Sequence, residues 1–372
     1  MKNIAASVLR NFKNIPGWKT DRKLVIIESD DWGSIRMPSK EIYNTFLQRG
    51  FRVDQTQYNR YDALECNDDL TALYEVLTKH QDKNQKPACF TANMIVANPD
   101  FEKIKLSGFT AYRYRPLQDT LKHYPKHDKV FFLYEQGMRM GLFKPQFHGR
   151  EHVQVNRWLT ALRNGDANML AAFDCQTTYS GKDDYNFMES FDWDSPNEVI
   201  EQQEILRDGL RLFKKTFSYA STSFIAPCYT WDPKLDAVLV EEGVRYMQGG
   251  TNQYVPKGGF DNYERKKHVM GEQSNGLTYI TRNCFFEPSL IFKSDWIDYT
   301  LASIRDAFRW NKPAIICAHR INFIGFIDES NRSRNLKMLD ELLKQILIRW
   351  PDVEFMSSDQ LGDIMTSNYI KK

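Results

Sequence analysis

Residues 24–32 read Leu-Val-Ile-Ile-Glu-Ser-Asp-Asp-Trp (LVIIESDDW), an apolar run that ends in two adjacent carboxylates. Apolar runs of this length, bounded by polar residues, are typical of strands buried in a sheet. Two neighbouring aspartates at the end of such a strand repel each other unless a cation or hydrogen-bond donors balance them. Asp30 and Asp31 therefore mark the end of the first predicted strand as a candidate functional site.

The same pattern recurs along the chain. Six further apolar or β-branched runs predict strands over 88–95, 143–147, 223–226, 277–280, 314–317 and 353–356. Amphipathic stretches between them predict helices over 68–80, 153–163, 196–217, 296–310 and 335–350. About seven strands interleaved with helices predict an α/β fold, either a parallel barrel or a doubly wound sheet.

Two stretches, 181–195 and 249–271, fit neither pattern, and we expect both to be long loops of the kind that often carries function. No repeat, low-complexity tract or obvious linker divides the chain. We therefore expect one domain over residues 1–372, in which residues 1–20 form an N-terminal extension.

The composition narrows the class of protein. The chain has 372 residues, 42% of them hydrophobic, and can bury a large core. Fifty Lys and Arg against 48 Asp and Glu give a formal net charge of +2, which supplies no electrostatic reason to expect a nucleic-acid partner. Six scattered cysteines without a CxxC pair argue against a zinc ribbon or a disulfide scaffold and favour a reducing compartment.

Polar residues interrupt the N-terminal apolar positions before the core of a signal peptide develops, and no apolar run approaches the ~18 residues that a membrane span needs. We therefore expect a cytoplasmic protein without a transmembrane segment. Ile4, Val8, Leu9 and Phe12 lie at helical spacing, so a short amphipathic helix could contact a membrane surface or pack on the protein itself. The oligomeric state cannot be derived from the sequence.

Two histidines four residues apart, His148 and His152, follow an apolar run and precede an amphipathic stretch. Positions i and i+4 lie one above the other on a helix, so this pair could bind one cation from the first turn of the following helix. His123 and His127 have the same spacing, but Pro125 lies between them in a lysine-rich segment, which favours a solvated turn.

His319 follows the apolar run 314–317. The aspartate pair, the histidine pair and His319 all fall at predicted C-terminal ends of strands, the face on which α/β barrels build active sites. Asp31 with His148 and His152 would leave open coordination positions, as catalytic metal sites do. We expect a divalent metal there, zinc by default, with manganese, cobalt, nickel and iron as alternatives.

These residues resemble the motifs of the polysaccharide deacetylase superfamily, the NodB-like carbohydrate esterases. The shared order is an Asp-Asp motif, a His-x-x-x-His motif, a Pro/Tyr turn, an Asp-Trp motif and a late strand that ends in His. In this chain the motifs are Asp30-Asp31, His148 to His152, Pro227 to Trp231, Asp295-Trp296 and Ile316 to His319. The resemblance covers residues 24–360 and implies a distorted (β/α) barrel of about seven parallel strands.

The resemblance also implies an activity, the metal-dependent removal of acetyl groups from an amino sugar or an acetylated polysaccharide or precursor. Asp31, His148 and His152 would bind the metal, Asp30 would be the general base, and His319 the general acid. An N-acetyl and an O-acetyl substrate cannot be distinguished from these residues.

Other residues are assigned supporting roles. The resemblance implies that a backbone N–H near Cys228 or Tyr229 helps to stabilise the oxyanion, and that Asp295 tunes the catalytic histidine. Trp32, Trp231 and the segment 185–193 are either stacking platforms for sugar rings or core.

The chain departs from the family where the third motif usually carries an arginine that contacts the base, because residues 224–227 read Phe-Ile-Ala-Pro. Arg150 and Arg320 are the candidate substitutes. If neither substitutes, the chain could be a carbohydrate-binding pseudoenzyme on the same barrel. Residues 148–152 also spell H-x-x-E-H, the inverzincin metallopeptidase signature, with Glu151 as base. That alternative requires a downstream glutamate in place of Asp31 as third ligand.

Overall fold

Eight short runs, most of them apolar or β-branched, form the parallel strands of one sheet in the computed structural model, which describes residues 11–180, 187–290 and 295–370. The strands are β1 (Leu24–Trp32), β2 (Phe90–Ile95), β3 (Phe143–Gly149), β4 (Ser223–Phe224), β5 (Tyr246–Gly249), β6 (Leu277–Thr281), β7 (Cys284–Phe285) and β8 (Ala314–His319).

The strands follow chain order around the sheet. From one edge to the other they run β6, β5, β4, β3, β2, β1, β8 and β7, each parallel to its neighbour. The first and last of these parallel strands, β6 and β7, are separated in sequence by Arg282 and Asn283 alone. The sheet therefore curls until its edges approach each other, which confirms the predicted distorted (β/α) barrel.

Six further strands complete the β structure of the described residues. Gln273–Ser274 pairs antiparallel with β6, Glu354–Phe355 pairs with the start of β1, Ala97–Pro99 pairs with Tyr114–Pro116, and Asn252–Pro256 pairs with Tyr263–Lys267. The last pair is a hairpin, so the prediction of a loop over 249–271 is wrong. The strand pattern there is weak because most of the hairpin's side chains are at least partly exposed, which removes the apolar alternation.

Two of the barrel strands, β5 and β7, were not predicted; they are four and two residues long. The other predicted loop, 181–195, is described only from residue 187, and residues 187–195 contain turns and bends. The proposed N-terminal amphipathic positions Ile4, Val8 and Leu9 lie outside the described residues.

Helices connect the strands and pack against the sheet. The α-helices are Lys40–Gln48, Gln57–Tyr61, Asn67–Leu77, Phe101–Leu106, Leu117–Leu121, Val130–Arg139, Val155–Arg163, Ala167–Asp174, Glu198–Phe217, Asp236–Glu241, Trp296–Arg309, Glu329–Arg349 and Ser358–Ile370. Three single 3₁₀ turns cover Pro227–Tyr229, Pro233–Leu235 and Arg320–Phe323. Within the part of the chain that the structure describes, no helix is long and apolar enough to cross a membrane.

The side chains of β1 alternate between two environments, as a pleated strand requires. Val25 and Ile27 belong to the large core between sheet and helices. Leu24 and Ile26 belong to a second, smaller cluster with residues of β5, β6, β8 and the C-terminal helix. Glu28 follows on the side of Leu24 and Ile26 and is fully buried. The barrel interior is thus apolar at its base and carries buried charge above it.

Candidate active site

Two consecutive carboxylates at the end of β1 line the same cavity. In a regular strand Asp30 and Asp31 would point to opposite faces. The register between β1 and β2 shifts between Ser29 and Trp32, and Asp31 has a φ of 75°, in the left-handed region. A bulge with one left-handed residue re-aims its side chain, and this conformation is uncommon outside glycine. The local strain therefore brings both carboxylates into one site.

Asp31 lies against two buried imidazoles. Oδ1 of Asp31 is 3.1 Å from Nε2 of His152 and 3.4 Å from Nε2 of His148. One candidate ligand atom from each residue lies within 4.8 Å of the other two. The Nδ1 of His148 donates to the carbonyl of Ile225 at 2.8 Å, which leaves Nε2 facing Asp31. Three electron-pair donors that converge in this way fit a metal ion.

The sequence predicted that His148 and His152 lie close together on one helix, but they do not lie on a helix. His148 belongs to β3, and His152 lies in the connection before the helix Val155–Arg163, so neither residue is on a helix face. The turn that follows β3 brings the two rings to 5.1 Å between centroids. Burial lowers the pKa of His152 to about 4 against the opposing effect of Asp31, so this ring is neutral at physiological pH, as a metal ligand must be.

Asp30 is held by a different set of partners. Arg282 donates to both of its carboxylate oxygens at 2.6 Å, and the Asn93 amide donates to Oδ1 at 2.7 Å. Burial alone would raise the pKa of Asp30, but the charge and hydrogen bonds of Arg282 outweigh it and lower the pKa below its usual range. Asp30 is therefore ionised at neutral pH.

Arg282 is the arginine that contacts Asp30. Both predicted substitutes were wrong, because Arg150 pairs with Glu151 and Asp208, and Arg320 pairs with Asp62 and Glu65. Arg282 directly follows β6, so the rule that picked the strand-end residues of β1 and β8 could also have found it.

His319, the last residue of β8, pairs with Glu287, whose Oε1 lies 2.6 Å from Nδ1 of the ring. Its Nε2 is 3.7 Å from Oδ2 of Asp30. Burial would lower the pKa of His319, but the carboxylate of Glu287 outweighs it and raises the pKa to about 10. His319 is therefore protonated at neutral pH and can donate a proton.

The acid that tunes this histidine is Glu287, and the prediction of Asp295 is wrong. Asp295 is the N-cap of the helix Trp296–Arg309 and accepts a hydrogen bond from the backbone N–H of Asp298. Glu287 follows β7, a strand of two residues, so no strand signal drew attention to it.

Neither predicted tryptophan offers a face to a substrate. Trp32 is fully buried and packs edge-on against Phe143, and Trp231 is 3% exposed with its indole N–H on Asp236. Both are core residues, so of the two alternatives that the sequence left open the core holds and the stacking role does not. Tyr229 does line the cavity, and its hydroxyl accepts a hydrogen bond from Arg282 at 3.1 Å.

One cavity of about 290 Å³ brings most of these residues together. Its lining residues include Asp30, Asp31, Arg36, Tyr58, His148, His152, Tyr229 and His319. Glu151 is not among the residues that line this cavity, and both of its oxygens are bound by the guanidinium of Arg150. The arrangement does not favour the inverzincin alternative, which needs Glu151 as the base and a glutamate in place of Asp31.

Comparisons with known proteins give only distant structural likenesses. No family model and no curated protein matches the chain. Solved structures with a similar arrangement are a putative polysaccharide deacetylase from Mycobacterium smegmatis (11% identity, TM-score 0.43, covering 95% of this chain and 94% of that one) and a probable polysaccharide deacetylase from Pseudomonas aeruginosa PAO1 (8%, 0.44, 92% and 90%).

A 4-alpha-glucanotransferase from Thermococcus litoralis is also similar, at 11% identity and a TM-score of 0.46. The match covers 91% of this chain, which spans only 40% of the glucanotransferase. These likenesses are too distant to assign an activity.

Replacement of Arg282 by glutamine should destabilise the protein strongly. The change leaves Glu28 and Asp30 buried without their counter-charge, and loss of one partner of a buried ion pair costs about 3–5 kcal/mol. Arg207→Gln removes a surface arginine paired with Glu204 and Glu241 and should lower the free energy of unfolding far less, because exposed ion pairs contribute little. Chemical denaturation measures both free energies of unfolding, and equal losses would contradict a special role for Arg282.

His319 should make the stability of the metal-free protein depend on pH. Its pKa of about 10 in the folded state exceeds the value of about 6.5 expected when unfolded, so its contribution is complete below pH ~6.5 and fades as the pH rises towards 10. The stability difference between wild type and His319→Gln, measured by denaturation in the presence of chelator, should shrink over this range. A difference that is constant from pH 6 to pH 10 would refute the Glu287 ion pair.

Proposed function

We propose that this protein is a metal-dependent carbohydrate deacetylase. One observation carries the proposal: a candidate metal group (Asp31, His148, His152) shares a cavity with an ionised carboxylate, Asp30, and a protonated imidazole, His319. Metal-assisted hydrolysis of an acetyl group uses these three functions side by side, namely a Lewis acid, a base for the attacking water and an acid for the leaving group.

The residues present suit a divalent ion with open coordination positions, with zinc as our first choice. Both histidines are buried, and the lone pair on Nε2 of His148 is directed inward by the hydrogen bond from its Nδ1 to a carbonyl. A metal held there would supply Lewis acidity, which lowers the pKa of water and polarises an acyl carbonyl.

Asp30 is the proposed general base. Its carboxylate is fixed by Arg282 and Asn93, so it meets the attacking water in one orientation. A carboxylate with a lowered pKa is a weak base, and it suffices only when the water is itself made more acidic. This requirement explains why the base lies next to the metal group.

His319 is the proposed general acid. Glu287 keeps its imidazole protonated and holds the ring by Nδ1, which leaves Nε2 to face the cavity and Asp30. An imidazolium can protonate a departing amine or alkoxide, so this arrangement serves an N-acetyl or an O-acetyl group.

The oxyanion of the tetrahedral intermediate needs a hydrogen-bond donor as well as the metal. Tyr229 N–H donates to the carbonyl of Ala226 at 3.0 Å, so we assign this role to the backbone N–H of Cys228. Cys228 and Tyr229 have φ values of 56° and 59°, and this strained turn lies at the cavity.

The pseudoenzyme alternative loses its main support. It rested on the absence of an arginine beside the base, and Arg282 makes that contact from another part of the chain. A site that only bound a sugar would have no need for an acid and a base that are ion-paired separately.

Metal content should distinguish the proposed ligands from their neighbours. After dialysis against trace zinc, elemental analysis should find about one metal per chain in wild type and Glu151→Gln, and almost none in Asp31→Ala or His148→Ala, because loss of one of three protein ligands opens the site. His123→Ala is the matched control, since His123 is exposed and distant in sequence. Metal retained by Asp31→Ala would exclude this carboxylate as a ligand.

Replacement of Asp30 by asparagine should separate metal binding from catalysis. We expect the variant to keep its metal while the rate of acetate release from acetylated sugars falls about 10²- to 10⁴-fold, the usual contribution of a general base. Asp298→Asn, a change at an exposed helix position, should leave both quantities unaltered. Full turnover by Asp30→Asn would contradict the assignment of the base.

A further inference from the structure

One cationic residue of the cavity has no part in the proposed chemistry. Arg36 lines the same cavity as Asp31 and His152, and its side chain is only 14% exposed. A mostly buried guanidinium is costly unless its charge and its donors find partners.

The backbone on both sides of Arg36 is held by hydrogen bonds. The backbone N–H of Ile35 donates to the side chain of Asn98 at 2.8 Å, and that of Met37 donates to the carbonyl of Asp62 at 3.2 Å. The guanidinium lies over the ring of Tyr58, 5.4 Å from its centroid. Tyr58 in turn makes an edge contact with His319. The arginine is therefore fixed beside the proposed acid before any ligand binds.

Arg36 forms a loose ion pair with Asp62, and its Nε makes no well-formed hydrogen bond. The nearest carboxylate oxygen, Oδ2 of Asp62, is 3.5 Å from Nε of Arg36, which is too long for a well-formed hydrogen bond. Asp62 already accepts two hydrogen bonds from Arg320, both at 3.1 Å. Among the residues that the structure describes, Nε of Arg36 is buried without a hydrogen-bond partner.

The other charges of the cavity are matched locally. Asp30 is paired with Arg282, and His319 with Glu287. Asp31 would be neutralised by the metal under the proposed function. An anionic group beside Arg36 would therefore meet a guanidinium in the cavity wall whose neighbouring carboxylates have partners of their own.

We infer that Arg36 binds an oxyanion on the sugar whose acetyl group is removed, so that the substrate is an acidic acetylated carbohydrate. A guanidinium presents its N–H groups as a planar fork that matches a carboxylate or a phosphate better than a neutral hydroxyl. The acetyl part of this inference rests on the proposed function, whereas the anion part rests on Arg36 alone. The anion is either the carboxylate of a sugar acid or the phosphate of a sugar phosphate.

Binding to the zinc-loaded full chain tests the inference. Calorimetry would compare methyl glucuronide and glucose 1-phosphate with neutral methyl glucoside, and the tighter of the two anions identifies the source of the charge. Arg36→Gln should weaken binding of the favoured anion about 10- to 100-fold, the range of charge-assisted hydrogen bonds, and binding of the neutral sugar less than about threefold.

Two further variants keep the result interpretable. Arg36→Lys keeps the charge but loses the fork, so it should fall between wild type and Arg36→Gln. Arg211→Gln removes an exposed arginine elsewhere and should bind like wild type. The inference is overturned if wild type binds the neutral sugar as tightly as both anions, or if Arg36→Gln and wild type show the same preference.

A separate assay of acetate release from acetylated forms of the same sugars distinguishes the two proposals. Anion selectivity that depends on Arg36, without acetate release, would refute the deacetylase and retain the anion site. Acetate release without selectivity for an anion would do the reverse.

Discussion

The guanidinium of Arg282 is the interaction on which the rest of the site depends. It holds two buried carboxylates of β1, Glu28 and Asp30, through bonds of 2.6 Å. Neither carboxylate could stay charged at this depth without a paired cation, because the cost of removing an ion from water is several kcal/mol. Arg282 lies between β6 and β7, the first and last of the parallel strands. Its ion pairs with Glu28 and Asp30 therefore also join this part of the barrel wall to β1.

The polar network around this ion pair extends to the C-terminal helix and to two further strands, β2 and β5. Ser358, at the start of the C-terminal helix, donates to the other oxygen of Glu28, and Asn93 links Asp30 to Gln248. Buried polar groups that are linked by hydrogen bonds in this way restrict the arrangement of their neighbours. Asp30, the proposed base, is thus positioned by residues from β2 and β5 and by Arg282.

The cavity contains a carboxylate, Asp30, and an imidazolium, His319, close together, each paired with a separate counter-charge. Asp30 is ionised because Arg282 stabilises its charge, and His319 is protonated because Glu287 stabilises the imidazolium. Environments that push the pKa values of two groups apart are what assign an acid and a base their roles. The third carboxylate, Asp31, is directed to the histidines by a strained backbone, so one short segment of β1 supplies two carboxylates with different partners.

The sequence by itself determined a parallel α/β fold and the strand-end residues Asp30, Asp31 and His319, because a buried strand that ends in polar groups is a local pattern. The strand pattern left a barrel and a doubly wound sheet open, and only the resemblance favoured the barrel. Only the tertiary structure decided which groups partner them. Arg282 lies 252 residues from Asp30, and no local pattern reports a contact over that separation. The roles of Trp32 and Trp231 were likewise open in the sequence, because burial depends on packing against distant residues. The spacing of His148 and His152 suggested a helix, but the turn after β3 brings the rings together, since tertiary contacts override local periodicity.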